Sequence, residues 1–327
     1  MKERRIIMKK VIVAMMLMAM TATTVAGCGS NDTAADTTTE TAAEDTTADT
    51  ADAAEDTAAA DTAAAGAASG AISVLSREDG SGTRGAFIEL FGVEEKKDGE
   101  KVDMTTEEAQ ITNSTSVMMT TVAGDEYAIG YVSLGSLDES VKALKIDGAE
   151  ATAENIKNDT YKVSRPFNIV TKKGSENEVA KDFVSYIMSK EGQQVVSDNG
   201  YIGDDSAAAY AGSKPAGKIV VGGSSSVSPV MEKLIEAYKE VNPDAEIELQ
   251  TTDSTTGVTS TIDGSYDIGM ASRELKDEET AEVEGQVMAT DGIAVIVNKA
   301  NTTDELSSEQ VKTIYTGEAL TWDEVVK

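Results

Sequence analysis

Three stretches of this chain place hydroxyl, glycine and arginine residues where a helix would begin. "SREDGSGTRGAFIEL", residues 76–90, sets Arg77 and Arg84 on either side of Asp79-Gly80-Ser81-Gly82-Thr83, just ahead of the helix-like spacing Ala86, Phe87, Leu90. "IVVGGSSSVSPVMEKL", residues 219–234, and "IELQTTDSTTGVTSTI", residues 247–262, repeat the plan of strand, polar loop and helix. The first turn of a helix carries unpaired N–H groups and the positive end of the dipole, so it favours an anion. Hydroxyls add donors, and glycine lets the backbone come close to a ligand. Ordinary N-capping needs only one such side chain per helix. Three loops with a surplus of donors point to an oxyanion site.

The arginines sharpen this reading. After residue 70 there are only Arg77, Arg84, Arg165 and Arg273, and three of them adjoin polar loop motifs. A planar guanidinium fork suits tetrahedral oxyanions, and also carboxylates. Arg165 lies in no such loop and is expected to matter less.

Composition excludes several chemistries. There is no histidine, which removes the usual general base and the commonest metal ligand, and with them a Ser-His-Asp hydrolase. The single cysteine, Cys28, allows neither an internal disulfide nor a cysteine-based zinc site, and no metal or cofactor is expected. Acids outnumber bases 58 to 28, a formal net charge of −30. Such a surface repels nucleic acid at long range, so an anion must be caught by short-range donors.

The elements that would hold these loops begin at Ala71. Before it, residues 1–28 read as a signal peptide, with Lys2, Arg4, Arg5, Lys9 and Lys10 ahead of the apolar run "VIVAMMLMAM". Residues 29–70 are an alanine, threonine and acid tract without a large apolar residue, and read as a solvated tether. From there, "AISVLS", "YAIGYVSL", "VKALKI", "PFNIVTK", "GKIVVGG", "AEIELQ", "YDIGMAS" and "DGIAVIVN" predict strands. "RGAFIELF", "ENEVAKDFVSYIMS", "PVMEKLIEAYKEV" and "SSEQVKTIY" predict helices. The alternation predicts an α/β fold with mostly parallel sheet, and ligands at the carboxyl ends of its strands.

Several segments resemble the phosphate-binding lipoproteins of bacterial phosphate ABC importers, a periplasmic-binding-protein-like family. They are "SREDGSGTRGAF", "YAIGYVSL", "GSSSVSPVMEKLIEAYKEVNP", "DSTTGV", "YDIGMASREL", "TDGIAVIVN" and "YTGEALTWDEVV", and together they span nearly all of residues 71–327. "VAGC" at 25–28 resembles a lipobox, which implies a lipid on Cys28. In the family "GSSSVSP" opens the mature protein and "TWDEVV" leads into "SREDGSGT"; here the order is reversed. The resemblance therefore implies a circularly permuted, two-lobed type II fold. Its former ends would be joined through residues 209–218. One lobe would be continuous, 166–289, and the other split, 71–165 plus 290–327.

The resemblance also implies a site. Ser226 and the Val227 amide, with Ser254, would serve one lobe. Arg77, Ser81, Gly82 and Thr83 would serve the other, with Asp79 orienting Arg77. Ser272 stands where some members carry an aspartate that accepts a proton from phosphate. Asp291, Asp253 and Asp79 are candidates to replace it, and Asp291, next to the crossing between lobes, is preferred. The implied protein is a non-enzymatic, monomeric, extracytoplasmic receptor, lipid-anchored to the cell membrane, that delivers inorganic phosphate to an ABC permease. A receptor for sulfate or molybdate, and a phosphate-ester hydrolase, remain as alternatives.

Overall fold

Runs of apolar residues without alternation predict strands buried on both faces. The structure, a computed structural model describing residues 70–97 and 99–326, builds its sheet from such runs. The signal segment, Cys28, residues 29–69 of the tether, and Lys327 lie outside the described residues.

The chain begins with β1 (Ser73–Arg77), α1 (Gly82–Leu90), the hairpin β2 (Glu94–Lys97) and β3 (Glu100–Asp103), and β4 (Gln110–Thr112). It continues through α2 (Thr115–Gly124), β5 (Ala128–Ser133), the short β6 (Lys142–Ala143) and β7 (Lys145–Ile146), and α3 (Ala153–Lys157). Next come β8 (Ser164–Lys172), α4 (Glu178–Ile187), α5 (Lys190–Asp198), β9 (Gly217–Ser224) and α6 (Ser228–Val241). β10 (Ala245–Thr252), α7 (Ser254–Asp263), β11 (Ile268–Ala271) and α8 (Asp277–Glu282) follow. The long β12 (Val283–Val297) leads to β13 (Glu305–Leu306), α9 (Ser308–Tyr315) and α10 (Trp322–Val325).

The main sheet runs β10-β9-β11-β8-β12-β5-β1-β4, with β6 also beside β12. Each wing is parallel, as predicted: β9 pairs with β10 and β11, and β1 with β4 and β5. The centre is not. β8 is antiparallel to β11 and β12, and β12 to β5. The chain passes from one wing to the other along β8 and returns along β12, so the two central strands run in opposite directions. This also explains why the strand expected from Asp291 begins earlier, at Val283.

The buried apolar residues form separate clusters on either side of this crossing. One holds Phe167, Phe183, Val221, Leu234, Tyr238, Ile268 and Ala289. A second gathers Phe87, Tyr131, Val295, Tyr315 and Trp322, with the rings of Phe87 and Tyr131 stacked at 3.9 Å. Helix α6 shows the local logic. Pro229 sits in its first turn, Val230, Met231, Leu234, Ile235 and Tyr238 are buried, and Glu232, Lys233, Glu236 and Lys239 face solvent. Helix α2 was not anticipated, since its threonines and valines are indifferent helix formers. Met118, Met119 and Val122 nevertheless drive it onto the core.

The first and last described segments lie side by side. Ala71 bridges Thr321, Ile72 N donates to Leu320 O at 2.9 Å, and Trp322 N donates to Gly70 O at 2.9 Å. The 209–218 connector is mostly exposed but firmly tied down. The Asp182 carboxylate accepts from the hydroxyls of Tyr210 and Tyr238 at 2.5 and 2.6 Å and from Ser213 N at 2.7 Å. Asn242 Nδ2 donates to Pro215 O at 3.0 Å. Burial alone would raise the Asp182 carboxyl, but these donors hold it below its ordinary value.

A depressed carboxyl stabilises the fold above its unfolded-state pKa, and that contribution is lost as pH falls through the folded-state value. Asp182→Ala should therefore cost roughly 1.5–3 kcal/mol at neutral pH, with a deficit that narrows in acid. Denaturant melts of both proteins across pH check this, and a pH-independent deficit would contradict it.

Candidate functional site

Four helices begin at the carboxyl ends of the wing strands and point their first turns at one another. α6 and α7 follow β9 and β10, while α1 and α2 follow β1 and β4. Polar side chains from the two wings interlock where they meet. Thr83 Oγ1 lies 2.8 Å from Ser226 Oγ, and Thr115 Oγ1 lies 3.3 Å from Ser226 Oγ and 3.4 Å from Ser225 Oγ. Ser224 Oγ donates to Ser272 Oγ at 2.9 Å, and Ser272 N donates to Ser254 Oγ at 3.0 Å. All of these residues are buried.

Glycine at position 82 is required by this approach. A Cβ there would stand 2.4 Å from Ser254 Oγ and 2.8 Å from Ser272 Oγ. Gly80, at φ +86°, offers its carbonyl across the same gap to Thr255 N and Thr255 Oγ1, each at 3.2 Å.

Arg77 is the charged member, 2 % exposed. Its Nε and Nη2 fork onto Glu78 at 2.7 Å each, and Nη2 also donates to Ser225 Oγ at 2.9 Å. Nη1 is buried and has no partner among the described residues. Tyr131 Oη accepts from Arg77 N at 3.2 Å and pairs with Ser76 Oγ at 2.9 Å, fixing the end of β1. Burial pushes that phenol up to about 12, so it stays neutral.

Most of the residues expected from sequence meet here: Arg77, Gly82, Thr83, Ser226, Ser254 and Ser272. Ser81 caps α1 by accepting from Arg84 N at 3.3 Å. Three expectations change. Asp79 does not orient Arg77; its exposed carboxylate pairs with Arg84 at 3.0 Å, and the adjacent Glu78 makes the fork. The Val227 amide closes a turn onto Ser224 O at 3.0 Å instead of facing the gap. Asp291 is 1 % exposed but engaged. Its Oδ1 accepts from Ser133 Oγ at 2.9 Å and Gly135 N at 3.4 Å, and its Oδ2 accepts from Arg165 at 3.0 Å. Asp253 caps α7 through Thr256 N and Thr256 Oγ1. Arg273 forks onto Glu279 and also donates to Thr255 Oγ1 at 3.4 Å. Ser225, Thr115 and Glu78 were missed. "SSS" and "NSTS" hinted at the first two, and only the fold could choose between Glu78 and Asp79.

Comparison with known proteins gives the family. A model of the PBP superfamily domain matches residues 44–191 and 208–326. Phosphate-binding protein PstS 2 of Streptococcus agalactiae is 60% identical over 260 residues, covering 79% of this chain and 89% of that one. The crystal structure of a phosphate-binding protein of a phosphate ABC transporter from Streptococcus pneumoniae is 44% identical. It superposes with a TM-score of 0.63, covering 78% of this chain and 100% of the other. A shorter match, 38% over 120 residues, covers 34% of this chain and 38% of the phosphate-binding protein PstS of Staphylococcus saprophyticus. The chain belongs to the PBP superfamily and, within it, to the family of bacterial phosphate-binding proteins.

Arg77→Ala should weaken oxyanion binding by about 2–5 kcal/mol, the cost of removing one partner of a buried charged hydrogen bond. Asp79→Ala should leave affinity unchanged. Calorimetric titration of both variants with phosphate checks the assignment, and the opposite ranking would overturn it.

Proposed function

We propose that this protein is an extracytoplasmic receptor that binds inorganic phosphate in this cleft and delivers it to an ABC permease. The observation that carries the proposal is the free Nη1 of the buried Arg77, set among hydroxyls contributed by both wings of the sheet. Such donors suit a dehydrated tetrahedral oxyanion, and the named relatives are phosphate-binding proteins. In this reading residues 166–289 form one lobe, residues 71–165 with 290–327 form the other, and phosphate closes them together. Ser81 and the first-turn amides of Gly82 and Thr83 complete the donors. No step of bond making or breaking is assigned to the site. Cys28 would carry the lipid that tethers a monomer to the membrane.

The chain order belongs to the same proposal. Its supports are the contact between Ala71 and Thr321 and the division of the superfamily match ahead of residues 209–218. The match to the staphylococcal relative, which covers only part of that protein, is a third. A circular permutation would account for all three. Rejoining residue 327 to 71 by a short loop and opening the chain within 209–218 should leave anion affinity within a few-fold. A folded but non-binding product would argue against it.

The functional test is titration of the soluble body with phosphate, sulfate, arsenate and molybdate. Phosphate at a hundred times its dissociation constant should stabilise the fold by about 2.7 kcal/mol. A melting temperature unmoved by phosphate but raised by sulfate would reassign the receptor. Release of phosphate from simple esters would make it an enzyme.

A further inference from the structure

The two crossing strands bring a second buried guanidinium to the floor of the cleft. β8 is antiparallel to β11 and pairs Asn168 with Ala271, so Arg165 lies just beyond the carboxyl end of β11, where Ser272 follows. β12 is antiparallel to β5 and pairs Ile293 with Ser133, so Asp291 lies just beyond the carboxyl end of β5. Arg165 and Asp291 are register partners between β8 and β12. The pair therefore occupies the place where the strand ends of both wings converge.

Its hydrogen bonding is incomplete in a particular way. Arg165 is 4 % exposed and gives only Nη2 to Asp291, while its guanidinium lies over the Phe167 ring at 5.2 Å. Nε and Nη1 have no partner among the described residues. Ser136 Oγ and Tyr201 Oη, from segments beside the pair, are also buried and interact with each other. Tyr201 feels the charges of both Asp291 and Arg165, and its ring packs on Gly135. Buried donors are nearly always satisfied, and a guanidinium with two idle nitrogens in a dry setting is costly unless something answers them. Arg77 is near enough to disfavour the charge on Arg165, and it too keeps one nitrogen, Nη1, unpartnered among the described residues. An anion between the two would satisfy both and relieve their repulsion.

We infer that Arg165 is a second anion-contacting guanidinium of this cleft, presenting Nε and Nη1 to the bound oxyanion while Asp291 holds it in place. This reverses the expectation from sequence that Arg165 is peripheral. It also gives Asp291 the task of orienting Arg165 in place of accepting a proton from phosphate. The inference rests on the oxyanion reading of the site above.

The test titrates wild-type protein with phosphate, sulfate and molybdate, and uses the tightest binder as the probe. Arg165→Gln and Arg165→Lys are then titrated with it, alongside their melting temperatures without anion. The expected result is at least a tenfold loss of affinity in Arg165→Gln and a smaller loss in Arg165→Lys. With phosphate, the loss should be larger on the alkaline side of its second ionisation, because the dianion gains more from a second positive charge. Affinity within twofold of wild type in folded Arg165→Gln would overturn the inference. If that variant does not fold, the same result in Arg165→Lys, which keeps the ion pair but not the fork, would overturn it. A loss equal on both sides of the ionisation would make Arg165 a positioning residue and overturn direct contact. A wild type that binds sulfate but not phosphate would sink the phosphate reading alone, with Arg165 then judged by sulfate affinity. A wild type that binds none of these anions would sink both.

Discussion

The site depends on one buried charge whose partners use only part of its hydrogen-bonding capacity. The Arg77 guanidinium is removed from water, and a carboxylate on the next residue takes two of its N–H groups in a fork. Neutralisation by Glu78 makes the burial tolerable, and a bidentate fork fixes the plane of the guanidinium. The remaining Nη1 is then aimed by geometry. Tyr131 holds the strand beneath it from the middle of the aromatic cluster with Phe87 and Tyr315. The packing of one hydrophobic core is thus linked directly to the direction of one donor.

This arrangement also reconciles an anion site with a formal net charge of −30. Surface charges more than about 8 Å away are largely screened at physiological ionic strength. Donors inside a buried cleft act at contact distance in a medium that screens them far less. Hydroxyls such as Ser226, Ser254 and Thr83 add no charge to be neutralised, and they can turn to suit the oxygen they meet.

Bringing the two wings this close requires small residues at defined points. Gly82 admits Ser254 and Ser272. Within one wing, Gly223, at φ +138°, lets β9 pack against β11 and α7, since a Cβ there would stand 2.3 Å from Met270 O and 3.1 Å from Gly257 Cα. The antiparallel centre has a similar consequence. Because β8 and β12 pair across the crossing, the sheet is continuous there, with Arg165 and Asp291 side by side.

Much of this was determined by local sequence. The apolar runs specify strands, the periodicity of 228–241 specifies an amphipathic helix, and serine, threonine and glycine at helix starts specify where donors gather. These are short-range properties, set by backbone sterics and capping, and they were legible without neighbours. The family motifs added Arg77, Ser226 and Ser254. Tertiary structure decided what depends on distance between remote residues. It chose Glu78 over Asp79 as the partner of Arg77, because one carboxylate turns inward and the other to solvent. It formed α2 against its weak propensity, because Met118 and Val122 had a core to enter. It reversed the two central strands, and it paired Arg165 with Asp291 across 126 residues of sequence. Cross-strand register and the direction of a buried side chain are set only when separate elements pack, so no local pattern could encode them.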